Sequence, residues 1–554
     1  AGVLARLSPA DLDLDGDSDL VGERPDRSLV LLRNDGGDAN HQLKLRLLGT
    51  RSNASGLGLR IELTSGNWRA LRTVHALPVE IGVGQRDKID TLNVRWFDTM
   101  STDVDTPVQK GQQLALVELV RPTGSCPYLY RWDGERFSFV TDLLGAAPLG
   151  LPVGPGRLIE ADPDEIVQIG DSTNFRPRDG YYTLSITEEL RELLYLDHAE
   201  LLVVDHPPGT EVHPTDKLVP GRPFPPSDLV LLGTRHALRH AQTLTGDDVT
   251  PTLQAVDAAM VSPARLRPPQ QRCYAERHGV VLDFGPLDDT RPLVLAMTGW
   301  LRFGGGMANM SVARDPEVPF PFPVLEAETD QGWKPVEGVV GAPCGKTKTI
   351  VADLKGRLPK HTRKLRLSTS FEIHWDRIAL FDQATPEQQA RLRVTRRTPD
   401  RTDLRWRGYS EFRDLPWTQP LTPDYDRVRS WPDWRITPSG WCTRYGPVDE
   451  LIARRDGGLA ILNGGDELLL EFAADRLPAP EPGTQRGFFL LTVGWDKDAD
   501  FHVVQGDRVE PLPWEGMDDQ LYGREVRPPH PGDALNRRFN TRWVGPVAQI
   551  RKPR

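Results

Sequence analysis

Hydrophobic and polar residues alternate strictly along several short segments of this chain. Three of these segments are residues 41–48, 58–63 and 92–97, and glycine-rich turns lie between them. Successive side chains on a strand point to opposite faces, so this alternation gives one buried face and one solvated face. The 50 glycines and 49 prolines interrupt the chain too often for long helices. The sequence therefore predicts a mainly β fold with few short helices.

Near the start of the chain, an acid stands at every second position of one loop. The loop acids are Asp11, Asp13, Asp15, Asp17 and Asp19. Calcium takes about six to eight oxygen ligands, and acids at loop positions 1, 3 and 5 converge on one ion when a glycine follows at position 6. Gly16 supplies that glycine. The spacing predicts a Ca²⁺ site, with Asp17 giving its backbone carbonyl and the other four acids giving carboxylates.

An acidic surface turn without an ion is the alternative interpretation of this loop. Carboxylates held at short range repel one another when no cation is present, which favours the metal site. An EF-hand is excluded, because its loop needs a bidentate glutamate at position 12, where this chain has Gly22. Apolar strand segments flank the loop in place of amphipathic helices.

The loop resembles the DxDxDGxxD calcium loop of FG-GAP and VCBS repeats, which build β-propellers in secreted and cell-surface proteins. The resemblance places the family's calcium ligands on the five loop aspartates. It also implies a partial propeller-type repeat at residues 1–37, and a single repeat cannot bury its own apolar face. We therefore expect upstream propeller blades or a separate chain to cover this repeat, in a C-terminal fragment or processed chain.

The segment that follows is similar to a second family. Residues 40–43, the run 49–58 that begins Gly-Thr-Arg-Ser-Asn, and residues 82–84 resemble the ASPIC/UnbV domain. That domain commonly follows FG-GAP repeats in cartilage acidic protein-like bacterial exported proteins. The family's tryptophan-proline-glycine turn is replaced here at residues 96–98. The resemblance implies an extracellular, periplasmic or cell-surface location and a role in binding or assembly.

Turn signals and composition shifts divide the chain into five modules. Hairpin turns are expected at residues 133–134 and 179–180, and a short helix begins at Pro386 with Thr385 as its N-cap. The modules are a terminal calcium repeat at 1–37, an ASPIC/UnbV-like β module at 38–120, a β-rich module at 121–290, a β-sandwich at 291–383 and a Trp/Pro-rich β module at 384–554. We expect antiparallel sandwich or barrel-like modules after the first repeat.

Charge, hydropathy and cysteine spacing exclude several classes of function. The 68 basic residues are mixed among 78 acidic ones, for a net charge of −10, so nucleic acid is not expected as a partner. No apolar stretch approaches the length of a membrane helix, so no membrane insertion is expected. The cysteines are too far apart for local zinc or redox motifs. They can form two disulfides or remain four buried thiols, and they are Cys126, Cys273, Cys344 and Cys442.

Other polar clusters match no catalytic motif. The densest comprises Glu188, Glu189, Glu192, Asp197, His198, Asp205, His206, Glu211 and His213. Acids alternate again at residues 496–500, but Phe501 stands where the turn glycine belongs. The glycine run at 303–307 lacks the Lys-Ser/Thr of a phosphate loop and predicts a flexible turn. No catalytic residue is assigned.

Five tryptophans near the C-terminus provide the second functional hypothesis. They are Trp406, Trp417, Trp431, Trp434 and Trp441. An aromatic face packs well against a sugar ring, although tryptophan also fills irregular β cores. The leading expectation is a non-catalytic, calcium-stabilised protein of interaction or assembly. The alternative is a carbohydrate-binding or carbohydrate-active protein with a glycan as its partner.

Overall fold

The alternating segments form strands in the computed structural model of the chain. The prediction of a mainly β fold is confirmed, because 36 strands and only four short α-helices occur in the part of the chain that the structure describes. Sheets with antiparallel pairing dominate. The described residues are 3–37, 39–50, 52–97, 101–107, 112–118, 127–288, 290–318, 322–434, 436–524 and 526–547.

Residues 1–121 form the first of two units. Its strands pair into three sheets, with the orders β1-β2-β3, β10-β4-β7 and β6-β5-β8-β9. β10 runs parallel to β4, whereas the other pairs described in this unit are antiparallel. The strands are β1 (Arg6–Ala10), β2 (Asp19–Glu23), β3 (Leu29–Leu32), β4 (His41–Leu48), β5 (Arg60–Ser65), β6 (Trp68–Thr73), β7 (Val79–Gly84), β8 (Lys88–Arg95), β9 (Ser101–Pro107) and β10 (Gln112–Val117).

One apolar core joins the second and third sheets of this unit. Leu45 and Ile81 from one sheet and Ile61 and Val94 from the other are buried in it. These residues occupy the apolar positions of the alternating segments, as period-two patterning requires. The three-stranded sheet β1-β2-β3 contributes no residue to that core.

The Gly-Thr-Arg-Ser-Asn run holds a buried carboxylate. The Thr50 and Ser52 N–H groups donate to Glu118 Oε2 at 2.7 and 2.8 Å, and Ser52 Oγ donates to Oε1 at 2.7 Å. A side chain at Gly49 would meet the Asn53 carbonyl, with Cβ 2.3 Å from that oxygen. This run therefore ties the end of β4 to the residue that follows β10, which is a structural role.

Residues 122–554 form the second unit. Its strands are β11 (Tyr128–Trp132), β12 (Phe137–Asp142), β13 (Pro152–Gly154), β14 (Arg157–Leu158), β15 (Asp164–Asp171), β16 (Tyr181–Thr187), β17 (Glu192–His206), β18 (Glu211–Pro214), β19 (Leu229–His236), β20 (His240–Thr243), β21 (Tyr274–Asp283), β22 (Leu293–Leu301), β23 (Val324–Thr329), β24 (Gly332–Pro335), β25 (Lys348–Asp353), β26 (Leu365–Phe371), β27 (Ile373–Gln383), β28 (Arg393–Arg397), β29 (Arg401–Trp406), β30 (Tyr409–Phe412), β31 (Pro423–Arg429), β32 (Gly440–Cys442), β33 (Ala460–Asn463), β34 (Asp466–Ala473), β35 (Gln485–Asp498) and β36 (Arg542–Val544). The helices are α1 (Gly305–Val312), α2 (Pro386–Ala390), α3 (Asp449–Ile452) and α4 (Asp533–Phe539).

Two sandwich-like pairs of sheets carry the cores of this unit. One core is shared by the sheet β12-β11-β16-β34-β29 and the sheet of β15, β35, β17, β28 and β33. The other core is shared by the sheets β18-β19-β27-β22-β25 and β20-β21-β26-β23-β24. Each pair buries the apolar faces of both of its sheets, as in a β-sandwich.

Strand pairing in the second unit joins segments that the sequence predicts to be separate modules. β15 and β16 pair with β35 and β34, which are about 300 residues further along the chain. The predicted sandwich at 291–383 also takes strands β18 to β21 from the preceding module. The expected boundary at 290 thus falls between strands of shared sheets, whereas all strands of these two sheets end by residue 383.

Most of the turns and helix caps predicted from local sequence signals occur in the structure. The hairpin at 133–134 joins β11 to β12, and at 179–180 both residues have positive φ, 50° and 83°. Helix α2 begins at Pro386, capped by Thr385 as predicted. The predicted flexible turn at 303–307 is wrong, because Gly305 starts α1. Among the described residues, no helix is long and apolar enough to cross a membrane.

Candidate functional site

The aspartate loop joins β1 to β2 in the first unit. Asp11, Asp13 and Asp15 each bring a carboxylate oxygen to one point, where the three oxygens lie within 4.8 Å of one another. Asp11 Oδ2 accepts the Gly16 N–H at 3.0 Å, and Gly16 turns the chain with a φ of 96°. No other group of three or more acidic, histidine or cysteine side chains converges this closely within the described residues.

Asp17 and Asp19 are buried and fix the ends of the loop. Asp19 accepts the N–H groups of Asn34 and Leu12 at 2.8 and 3.1 Å, and these two hydrogen bonds lower the pKa of Asp19. Asp17 Oδ2 accepts the Gly37 N–H at 2.9 Å. Burial raises the pKa of Asp17, and the charges of the neighbouring loop aspartates add to that rise. Asp19 keeps lone pairs for a further partner, because each carboxylate oxygen has two.

Two residues of the neighbouring strands β4 and β7 add to the charge environment of the loop. Lys44 on β4 places Nζ 2.6 Å from Asp11 Oδ2 and 3.9 Å from Glu80 Oε1. Glu80, which lies opposite Lys44 on β7, accepts the Asp11 N–H at 3.1 Å. Sequence reasoning missed both residues, because only the pairing of β4 with β7 brings them to the loop. The only available signal was a possible ion pair between a lysine and a glutamate at facing positions of two strands.

The oxygen donors of the loop suit Ca²⁺. Asp11 Oδ1 and Asp17 Oδ1 are buried without a hydrogen-bond partner, and leaving such atoms unpaired is costly. Calcium binds oxygen at about 2.3–2.6 Å, so ligands on opposite sides of one ion lie about 5 Å apart. The spacing of the Asp11, Asp13 and Asp15 oxygens fits within that limit. A calcium ion held there would neutralise the loop acids and fix the turn.

A cleft of about 850 Å³ opens in the second unit, lined by β15, β18 and the first residues of β25 and β35. Arg377 and His213 contact the Glu211 carboxylate at 2.7 and 2.8 Å. Burial would raise the pKa of Glu211, but these two hydrogen bonds outweigh it and hold the pKa at about 2. Burial raises the pKa of Asp162 to about 7 and that of Asp216 to about 8. The cleft therefore holds ion pairs beside acids that carry protons near neutral pH.

A buried charged triad, Lys348, Asp142 and Glu165, lies at one side of this cleft. Lys348 Nζ is 3.1 Å from Asp142 Oδ1 and 2.7 Å from Glu165 Oε1. Burial alone would lower the pKa of Lys348, but the two carboxylates raise it above its usual value. Burial raises the pKa of nearby Cys344 well above the usual range, so its thiol is a weak nucleophile.

The polar cluster predicted between Glu188 and His213 divides among separate networks. Glu211 and His213 line the cleft, whereas Asp205 pairs with Arg486 at 2.7 Å. Asp197 accepts the Gly457 N–H at 2.9 Å. Glu189 lies in a further buried network with Tyr130, Arg407 and Ser410. Glu211, Asp205, Asp197 and Glu189 therefore each have a polar or charged partner, and these partners belong to different networks.

A serine, a histidine and a glutamate form a chain of hydrogen bonds that resembles a hydrolytic triad. His374 contacts Ser262 Oγ at 2.7 Å and Glu372 Oε1 at 3.3 Å. His374 is fully buried against Trp300, with ring centroids 4.3 Å apart. We therefore assign this chain of hydrogen bonds to packing.

The five C-terminal tryptophans do not share one environment. Trp406 and Trp434 are buried. Trp417 contacts His374 with its ring edge, and Trp431 is exposed. Trp543 is not among the five predicted tryptophans. It pairs with exposed Trp441 across β32 and β36, and the two ring centroids are 5.2 Å apart.

Three cysteines are buried free thiols, namely Cys273, Cys344 and Cys442. The fourth, Cys126, lies outside the described residues. Of the two sequence-based alternatives, the structure thus places thiols at these three positions.

Comparisons with known proteins gave no family for this chain. No family model and no curated protein matches it. Among solved structures, an arabinofuranosyltransferase from mycobacteria is similar at 10% identity with a TM-score of 0.11. The match covers 89% of this chain and 34% of the other, so the chain spans about a third of that protein's length. At that TM-score the likeness supports no argument about fold or activity.

Proposed function

We propose that this chain is a non-catalytic, calcium-stabilised protein of interaction or assembly that works outside the cell, in the periplasm or at the cell surface. The convergence of three loop carboxylates beside buried, unpartnered oxygens supports the calcium site. Calcium is abundant in extracellular fluid, which suits an exposed loop of moderate affinity. The ligands are Asp11, Asp13, Asp15 and Asp19 by carboxylate and Asp17 by its backbone carbonyl.

The observation that carries the interaction role is the apolar surface of the sheet β1-β2-β3. Register places Leu7, Leu20 and Leu32 on one face, because Leu20 pairs with both Pro9 and Leu32. All three leucines are exposed. The other face carries Leu29 and Leu31, exposed by 70% and 55%.

A sheet that exposes leucines on both faces lacks the neighbours that repeat architectures provide. We propose that further strand-loop-strand repeats of the same kind cover these faces, with the calcium loop holding the edge of the array. The resemblance of residues 1–37 to an FG-GAP repeat and of residues 38–120 to the ASPIC/UnbV domain, in this order, supports that proposal.

The experiment is a comparison of self-association and apolar-dye binding in the chain and a variant. We expect the chain with Ca²⁺ to bind the dye and to sediment partly as oligomers, whereas Leu29→Ser/Leu31→Ser reduces both signals. Leu266→Ser is the matched control, since Leu266 is an exposed leucine of the second unit. A monomer that binds no dye would contradict the interaction role. Binding of an unrelated protein chain to this sheet would show that the partner is not a further repeat.

A second candidate function, glycan binding, rests on the exposed pair Trp441 and Trp543. Their rings are inclined by 67° and both residues are about half exposed, so part of each aromatic surface is accessible to a sugar. Trp441→Ala is the appropriate variant for a glycan array. Trp434→Ala would disturb folding instead, because Trp434 is buried against Tyr409. An array that is silent for the unmodified chain excludes this candidate.

A further inference from the structure

The charged triad of the second unit brings an amine and a carboxyl carbon together in a closed environment. The side chains of Asp142, Glu165 and Lys348 are exposed by only 0%, 6% and 12%. They come from the end of β12, from β15 and from the start of β25, three segments that are far apart in sequence. Burial of one lysine with two carboxylates costs desolvation that a surface ion pair avoids.

The main chain around Asp142 forms a cradle for its carboxylate. The Lys346 N–H donates to both carboxylate oxygens at 3.0 Å. Gly345 has a φ of 78°, and a Cβ at that position would lie 1.9 Å from Asp142 Oδ2. The carboxylate therefore occupies the space where any other residue would carry its side chain. An N–H held against both oxygens would also stabilise negative charge that develops on them.

We propose that the Lys348 amine and the Asp142 carboxyl group condense to an isopeptide bond, with Glu165 carrying the protons. Lys348 first passes a proton to Glu165, and its lone pair then attacks Cγ of Asp142. The new N–Cγ bond forms while one Cγ–O bond breaks. The departing oxygen takes the proton from Glu165 and the second proton from nitrogen, and leaves as water.

Atoms and charges balance in this step without any other reagent. An ammonium and a carboxylate give one neutral amide and one water, and Glu165 returns to its starting state. Burial raises the pKa of Glu165, which suits a group that must hold a proton for part of the reaction. The strong ion pair opposes the first proton transfer, since it keeps Lys348 charged.

Proximity of the amine and the carboxyl group lowers the barrier to amide formation. Groups held in contact reach effective concentrations of about 10⁵–10⁸ M. The released water can leave through the cleft that Glu165 and Lys348 line. The bond would link β12 of one sandwich-like pair to β25 of the other, so the two cores of this unit would be covalently joined.

Intact-mass measurement of the freshly purified full-length chain under denaturing conditions tests the proposal. We expect a mass one water below that of the sequence, and a digest that contains one branched peptide joining Asp142 to Lys348. A mass equal to that of the full sequence would overturn the proposal and would show that Lys348 and Asp142 form only an ion pair. This readout does not depend on calcium or on the proposed interaction role.

Variants of the triad test whether the mass deficit of one water arises from these three residues. Lys348→Arg keeps the positive charge and should restore the full mass, as should Glu165→Gln. The matched control is Lys364→Arg, whose lysine forms an exposed pair with Glu328 at 3.7 Å, and we expect it to keep the mass deficit. A deficit that persists in Lys348→Arg, or a branch at Lys346, would also overturn the assignment.

Discussion

Replacing Arg407 with methionine should strongly destabilise the second unit. Arg407 Nη1 lies 3.3 Å from Glu189 Oε1, and the two side chains are exposed by only 7% and 1%. Glu189 also accepts hydrogen bonds from Tyr130 and from the Ser410 N–H. Without the guanidinium, the carboxylate remains buried with neutral donors alone. Breaking a buried pair by removing one partner costs about 3–5 kcal/mol.

A matched exposed pair shows how much of that loss comes from burial. Arg396 and Glu200 are also 3.3 Å apart, but their side chains are exposed by 47% and 20%. Arg396→Met should cost less than about 1 kcal/mol, because solvent screens this pair. The free energy of unfolding of each variant is measured by urea titration, followed through the transition of residues 122–554. Equal losses for the two variants would refute the structural role assigned to Glu189.

Three further predictions concern single groups. Burial raises the pKa of Asp216 from its usual 3.8 to about 8 in the folded state, so the unfolded chain binds fewer protons between these pH values and stability falls as pH rises. Asp216→Asn should therefore raise the thermal midpoint relative to the parent chain at pH 9 and change it little near pH 4. Gly345→Ala should cost more than about 2 kcal/mol, since it adds a clash with Asp142 to a strained φ. Gly356→Ala, with positive φ but open space around Cβ, should cost less in the same urea titration. Lys44→Met should tighten Ca²⁺ binding roughly tenfold at low salt, because the Lys44 ammonium competes for Asp11; unchanged affinity by calorimetry would exclude that competition.

Strands, caps and the acidic loop could be predicted because their signals are local. The alternation at 41–48 coincides with β4, and the Thr385 cap fixes the start of α2. The bend at Gly16 follows from the spacing of the loop acids, which need only neighbouring residues to converge. Each of these features depends on a few consecutive side chains.

Long-range pairing could not be predicted from the same signals. Nothing in the alternation of β15 indicates that β35 is its neighbour, and the parallel pairing of β10 with β4 has no local mark. Lys44 and Glu80 reach the aspartate loop only through the fold of the first unit. The triad of Asp142, Glu165 and Lys348 likewise depends on contacts between distant segments.

Calorimetric titration of Ca²⁺ into the metal-free chain tests the assignment of the aspartate loop as a calcium site. We expect one ion to bind with moderate affinity and to raise the thermal midpoint of residues 1–121, because the ion binds the folded loop only. Asp13→Asn/Asp15→Asn should abolish both effects, whereas Asp87→Asn, at an acid exposed by 95%, should leave them unchanged. Absence of binding heat and of any thermal shift, or equal binding by the double variant, would contradict the assignment of the aspartate loop as a calcium site.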